Sequence, residues 1–218
     1  MDAHPPRSVL VAGASGLVGR EILKTLLADD SVGAVHTLGR RELPLQHAKL
    51  AQHRIDFAAL PALPRVDEAL IALGTTIKVA GSQQAFRAVD YDAVVNVARA
   101  AKAAGATRLG VVSAMGADAG SRIFYSRVKG EMEDALRALG FETLVIARPS
   151  MLAGDREALG QPVRGGEGLA LKITRALAPL IPDNYKSISV ADVAHALVEG
   201  VRGPKGTRVL SSGQMRRG

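Results

Sequence analysis

Ser8-Val-Leu-Val-Ala12, followed by Gly13-Ala-Ser-Gly16-Leu-Val-Gly19, is the stretch that decides the fold. The first five residues read as a buried strand. Leu17 to Ala28 then carries apolar residues at 18, 22, 23, 26 and 27, the spacing of a helix face. Three glycines join the two. Glycine there permits a tight turn, lets the backbone approach a diphosphate and lets the helix pack against the strand; the helix N-terminus favours negative charge. The candidates to hold such a group are Gly13, Ser15, Gly16, Leu17, Val18 and Gly19. The spacing is G-x-x-G-x-x-G, not the commoner G-x-G-x-x-G, so the first turn differs. A triple of this kind is a weak signal alone in a chain with 23 glycines. Its place between strand and helix carries the weight, against the alternative of a glycine-rich turn with no ligand.

Outward from this unit the pattern repeats. Ala34–Leu38, a short stretch near Leu50–Asp56, Ala69–Leu73, Leu109–Val112 and Thr143–Ala147 are apolar runs of strand length. Helical patterns fill Asp92–Ala104 and about Ser126–Leu139. Strands apolar throughout, alternating with helices, imply a parallel sheet covered on both faces. The expected fold is α/β: a Rossmann-like, doubly wound parallel sheet with a small C-terminal substrate-side portion. A single domain over 1–218 is expected, with its core at about 7–150 and that portion at about 151–218. There the texture changes to a glycine-rich loop at 154–168, holding Arg156 and Arg164. Helices near Leu169–Leu177 and Val190–Val201, a strand near Thr207–Leu210 and a frayed end from Gln214 follow.

Composition narrows the function. With no cysteine, the chain has no disulfide, thiolate-held zinc, iron–sulfur cluster or cysteine nucleophile. Its five histidines are scattered, and no metal site is inferred. Three Tyr, four Phe and no Trp disfavour a nucleic-acid surface of stacked aromatics. A net charge of +7 favours an anionic partner without naming one. There is no signal peptide and no apolar run of membrane-spanning length, so a cytoplasmic protein is expected, with no membrane partner.

Two further clusters carry chemistry. Gly39-Arg40-Arg41 follows the second strand, where an NAD-binding fold usually places an acid for the ribose 2′-hydroxyl. Two guanidiniums suit a 2′-phosphate instead, which argues for NADP with NAD possible; a solvated arginine pair is the alternative. Arg40, nearer the strand end, is favoured over Arg41. Tyr125-Ser-Arg-Val-Lys129 heads a helix, where residues four apart share a face. An ammonium beside a phenol lowers the phenol's pKa and suits it to acid–base work. Ser113 stands at a strand's C-terminal end, where parallel sheets hold ligands, and its hydroxyl can orient a substrate carbonyl. The alternative is that Tyr125 packs and Lys129 is solvated.

With these motifs together, the chain resembles an atypical short-chain dehydrogenase/reductase of the Tat-interacting-protein-like group. The resemblance spans nearly the whole chain and includes Leu73-Gly-Thr-Thr76, Val89-Asp-Tyr91, Val112-Ser-Ala-Met-Gly-Ala117, Tyr125 to Glu131 and Arg148-Pro-Ser150. It implies that Ser113, Tyr125 and Lys129 are the catalytic triad, and that Lys129 also meets the nicotinamide ribose. It implies that Leu73, Gly74 and Thr75 pass the adenosine and ribose, Asp56 meets the adenine amine, and Pro149 backs the nicotinamide. Ala114 departs from relatives that often have a second serine there. Asn96 is either a buttress of the site or a surface residue. The implied activity is hydride transfer between NADP and a small carbonyl or alcohol. A redox sensor that binds NADP(H) with little turnover is the second reading, and the oligomeric state is not legible.

Overall fold

The computed structural model describes residues 6–153, 184 and 186–216. The glycine-rich loop with Arg156 and Arg164, and the helix expected at 169–177, lie outside the described residues.

The first unit forms as its sequence dictates. Strand β1 (Arg7–Ala12) leads through the glycine turn into helix α1 (Leu17–Leu27) and then β2 (Val32–Gly39). Strands β3 (Leu50–Arg54) and β4 (Glu68–Ile71) follow. Short helices α2 (Ile77–Ala80) and α3 (Gln83–Arg87) lead by a π-helical turn, Ala88–Ala93, into α4 (Val94–Ala103). Then come β5 (Arg108–Val112), α5 (Phe124–Ala138) and β6 (Thr143–Arg148). A two-residue strand, β7 (Leu152–Ala153), pairs with β8 (Ile188–Ser189). Helix α6 (Val190–Arg202), strand β9 (Gly206–Ser211) and helix α7 (Ser212–Met215) complete the described chain.

Seven strands make one sheet in the order β3-β2-β1-β4-β5-β6-β9, every pair parallel. The order in which successive strands are added reverses between β1 and β4: β2 and β3 extend to one side, β5 and β6 to the other. In such folds the crevice beyond the strand ends at that reversal is the ligand site. The two faces are covered by different helices. Val9 and Val11 join Ile22, Leu26 and Leu197 in one core; Leu10, Ile71 and Ile146 join Val97, Leu109 and Met132 in the other. Burial on both faces is why these strands are apolar at every position, not at alternate ones.

Three expectations are corrected. The fourth strand ends at Ile71, releasing Ala72 and Leu73 into a loop. The helix expected from Asp92 begins earlier, through the π turn. The end is not frayed from Gln214: Ser211 and Gln214 form a capping box, and Met215 is buried.

Candidate active site

The glycine turn is built by contact. Gly13 has φ +89°, and a Cβ there would lie 2.5 Å from the Ala72 carbonyl oxygen. A Cβ on Gly19 would lie 2.0 Å from the Gly13 oxygen. Gly13 is therefore demanded for the turn to sit against the loop after β4, and Gly19 for helix α1 to pack on the turn itself. The first turn of α1 has no acidic residue and no side-chain cap, leaving its N–H groups for a ligand.

This turn forms one wall of a cleft of about 750 Å³. Of the residues expected at a cofactor, Gly13, Ser15, Gly16, Arg40, Arg41, Asp56, Leu73 and Gly74 line it. Val18 and Gly19 are buried behind the turn, and Leu17 is half-buried. Arg40 and Arg41 are exposed at the end of β2. Arg20 also lines the cleft and donates to the Ser15 carbonyl at 3.1 Å. It is a third basic residue that the glycine pattern does not single out. Asn96 lines the cleft too, and its amide donates to the Phe57 carbonyl at 3.3 Å. It is therefore a buttress between α4 and the chain after β3.

Ser113, Tyr125 and Lys129 do not line that cleft; they sit where β5, the π turn and α5 meet. Tyr125 is in the first turn of α5, its ring 5.4 Å from that of Phe86. Lys129, one turn on, is 5% exposed and pairs with Asp90 Oδ1 at 2.7 Å. Asp90 Oδ2 accepts the Thr75 backbone N–H at 2.9 Å. The Thr75 backbone N–H thus points to Asp90, and Thr75 is not among the residues that line the cleft. Pro149 is buried at the end of β6, and its carbonyl accepts the Met115 N–H at 2.9 Å, beside the exit of β5.

Two electrostatic expectations need correction. Lys129 does not lower the pKa of Tyr125 in this structure. Its charge is matched by Asp90, and burial together with the Asp90 carboxylate pushes the Tyr125 phenol up to about 12. Nor is the Ser113 proton free for a carbonyl. Ser113 is buried and donates to Glu133 Oε1 at 2.6 Å. Glu133 is wholly buried and also takes Arg148 Nη2 at 2.6 Å and Arg137 Nη2 at 3.0 Å, so it is held as a carboxylate that only accepts. Asp90, Glu133 and Arg20 are the site residues that motif reading missed. Asp90 stands inside the quoted Val89-Asp-Tyr91, and an acid among helix-leading apolar residues is the signal that marks it.

A doubly wound parallel sheet, a glycine turn at its reversal point and an adjoining Tyr–Lys pair define an NAD(P)-binding protein of the short-chain dehydrogenase/reductase kind. A family model described as NAD(P)H-binding matches residues 13–204. The chain belongs to that NAD(P)H-binding family, in the atypical, Tat-interacting-protein-like group. Protein HTATIP2 of Rattus norvegicus is 35% identical over 219 residues, covering 96% of this chain and 84% of that protein. Protein fmp52, mitochondrial, of Emericella nidulans is 34% identical over 163 residues, 69% of each chain. Among solved structures, an oxidoreductase of the short-chain dehydrogenase/reductase family from Burkholderia thailandensis superposes with a TM-score of 0.69 at 19% identity, over 97% of this chain and 94% of that one. MoeE5 in complex with UDP-glucose and NAD superposes with a TM-score of 0.67 at 20% identity, over 93% of this chain and 75% of that one. These two likenesses concern the fold. No helix among the described residues is long and apolar enough to cross a membrane.

Proposed function

We propose that the protein is an NADP-dependent oxidoreductase that transfers hydride between the nicotinamide and a small carbonyl or alcohol. The observation that carries this reading is the shared cleft: the glycine turn, Arg40 and Arg41 and the Leu73–Gly74 loop face one space at the sheet's reversal point. The residues fit the cofactor. Gly13 and Gly16 leave room for a diphosphate at the head of α1, and Arg40, with Arg41 beside it, pairs with a 2′-phosphate. Asp56 would meet the adenine amine; its Oδ1 accepts the Ala58 N–H at 2.9 Å. Pro149 and the loop through Thr75 would flank the nicotinamide half. When bound, the cofactor supplies or takes the hydride.

Within this reading the chain's own residues handle the proton. Tyr125, protonated at neutral pH, gives a proton to the substrate oxygen in reduction and takes it back in oxidation. Lys129, its charge matched by Asp90, would hydrogen-bond the nicotinamide ribose through a remaining N–H. Ser113, its proton committed to Glu133, offers lone pairs that orient the Tyr125 hydroxyl or a substrate alcohol. A single domain spans 1–218, with the substrate side built after about 151. We place the protein in the cytoplasm, although fungal relatives carry mitochondrial names.

The test is NADPH oxidation over a panel of carbonyl compounds, with Tyr125→Phe alongside. The variant keeps cofactor binding and loses turnover. Unchanged turnover in it would end the catalytic assignment. The sensor reading is favoured by one observation, the neutralised Lys129 beside a high-pKa tyrosine. Partner capture that depends on the redox state of the cofactor, without turnover on any carbonyl, would support it.

A further inference from the structure

We propose that Asp90 is a positioning residue of the candidate active site, tying the loop after β4 to the cation of the Tyr125–Lys129 pair. Its two oxygens do different jobs. Oδ1 holds the Lys129 ammonium at 2.7 Å, and Oδ2 fixes the Thr75 N–H at 2.9 Å. Asp90 itself is 1% exposed, in the π-helical turn Ala88–Ala93. π turns inside α-helices recur at functional sites. A buried carboxylate must be paired and hydrogen-bonded to be tolerated, and these two contacts supply that. The loop and the ammonium therefore share one anchor, and a shift of either is felt by the other.

Nearby charges are otherwise engaged. Arg87, next to Phe86, pairs with Glu131 and lies 4.3 Å over the Tyr91 ring. Arg127, on the same turn of α5 as Tyr125, bonds the Ser121 carbonyl at 2.9 Å and approaches Glu131 at 4.0 Å. One turn beyond Lys129 on the same face of α5, Glu133 is held by Arg137 and Arg148 and accepts from the Ser113 hydroxyl. Asp90 and Lys129 are the pair left to set the state of Tyr125. With Asp90 charged, Lys129 is compensated and Tyr125 keeps its proton, so the free protein rests with a proton donor, not a base. This deepens the reading of Tyr125 and Lys129 given under the proposed function and rests on it.

The test needs no turnover, so a failed search for a carbonyl substrate would sink the oxidoreductase reading and leave this one standing. The chain has three tyrosines and no tryptophan, so phenol titration by ring-carbon labelling is readily assigned, with Tyr125→Phe as the reference. In the wild type, Tyr125 does not titrate below about pH 10.5. In Asp90→Asn it titrates inside that range, and adding Lys129→Met moves it back up. Asparagine keeps an acceptor for Thr75, so the Thr75 amide stays protected from hydrogen exchange in Asp90→Asn and loses protection in Asp90→Ala. Three results would overturn the proposal: an Asp90→Asn titration like the wild type's, no response to the added Lys129→Met, or a Thr75 amide indifferent to Asp90→Ala. Should the variants not fold, the wild type alone decides. An ordinary Tyr125 titration near pH 10, or a freely exchanging Thr75 amide, refutes it.

Discussion

The Ser113 hydroxyl donates to Glu133 Oε1 at 2.6 Å, with both side chains buried between β5 and α5. Glu133 also gathers Arg137 and Arg148, so Ser113 is one of several partners and Glu133 is the hub. Removing the hub takes the carboxylate from Arg148 and leaves Arg137 with Asp134 alone, at 2.8 Å; removing one hydroxyl leaves the rest of the network in place. Ser113→Ala should therefore cost about 1 kcal/mol of stability, and Glu133→Gln about 3 kcal/mol. Chemical denaturation of the two variants checks the order. A Ser113→Ala loss equal to that of Glu133→Gln would mean that the serine carries the network.

Gly19→Ala tests the glycine turn through backbone contact. Its new Cβ would meet the Gly13 carbonyl oxygen and carbon at 2.0 and 2.7 Å, and neither is the end of a flexible side chain. The turn must open, at about 1–3 kcal/mol as for overpacking elsewhere. Opening it also moves the N–H groups that would meet a diphosphate. NADPH affinity, followed by cofactor fluorescence, should fall at least about ten-fold. A variant that is stable and binds normally would show that Gly19 merely fills space.

Much of this site was legible because its residues act locally. Gly13, Gly16 and Gly19 sit within one turn, and Tyr125 and Lys129 share a helix face. The apolar runs of β1, β5 and β6 were readable because burial on both faces leaves no polar alternation. The charge state of the Tyr–Lys pair was not legible. It depends on Asp90, brought in from a distant part of the chain by a π turn whose hydrogen-bond register leaves no mark in hydrophobic periodicity. Spacing alone makes Lys129 the activator of Tyr125; the third partner reverses the sign. Ser113 follows the same pattern: its strand-end position was readable, and the direction of its proton was set by Glu133 on another element.

Asp29 predicts an acid sensitivity away from the site. It pairs with Arg7 at 3.1 Å and with Arg202, joining β1, the turn after α1 and the end of α6. Burial pulls its pKa up, but bonds from the Ser31 side chain and backbone and from Arg202 outweigh that and hold it at about 2, below the ordinary 3.8. A carboxyl with a depressed folded pKa adds stability above its unfolded value, and loses it as pH falls from about 4 to about 2. Asp29→Asn should lose about 1 kcal/mol at neutral pH, a small figure because the group is partly solvated. Its melting temperature should also fall less than that of the wild type over that acid range. Parallel pH profiles of the two proteins would sink the assignment.

The proposed preference for NADP is tested at Arg40. It lies exposed at the lip of the cleft, just past β2, with Arg41 beside it and Glu42 next in the chain. In the proposed complex its guanidinium pairs with the 2′-phosphate, a group that NAD lacks. A charge-assisted hydrogen bond of this kind is worth about 1.5–3 kcal/mol, or about ten- to a hundred-fold in affinity. Arg40→Ala should weaken NADPH by that factor and leave NADH unchanged, while Arg41→Ala should do less. Added salt should weaken NADPH more than NADH in the wild type, because the contact is solvent-exposed and screened, and the difference should shrink in Arg40→Ala. Calorimetric titration of both cofactors against the three proteins reads all of this together. Equal losses for NADPH and NADH in Arg40→Ala would place the arginine on a part of the dinucleotide common to both, and the preference for NADP would then have to come from Arg41 or Arg20.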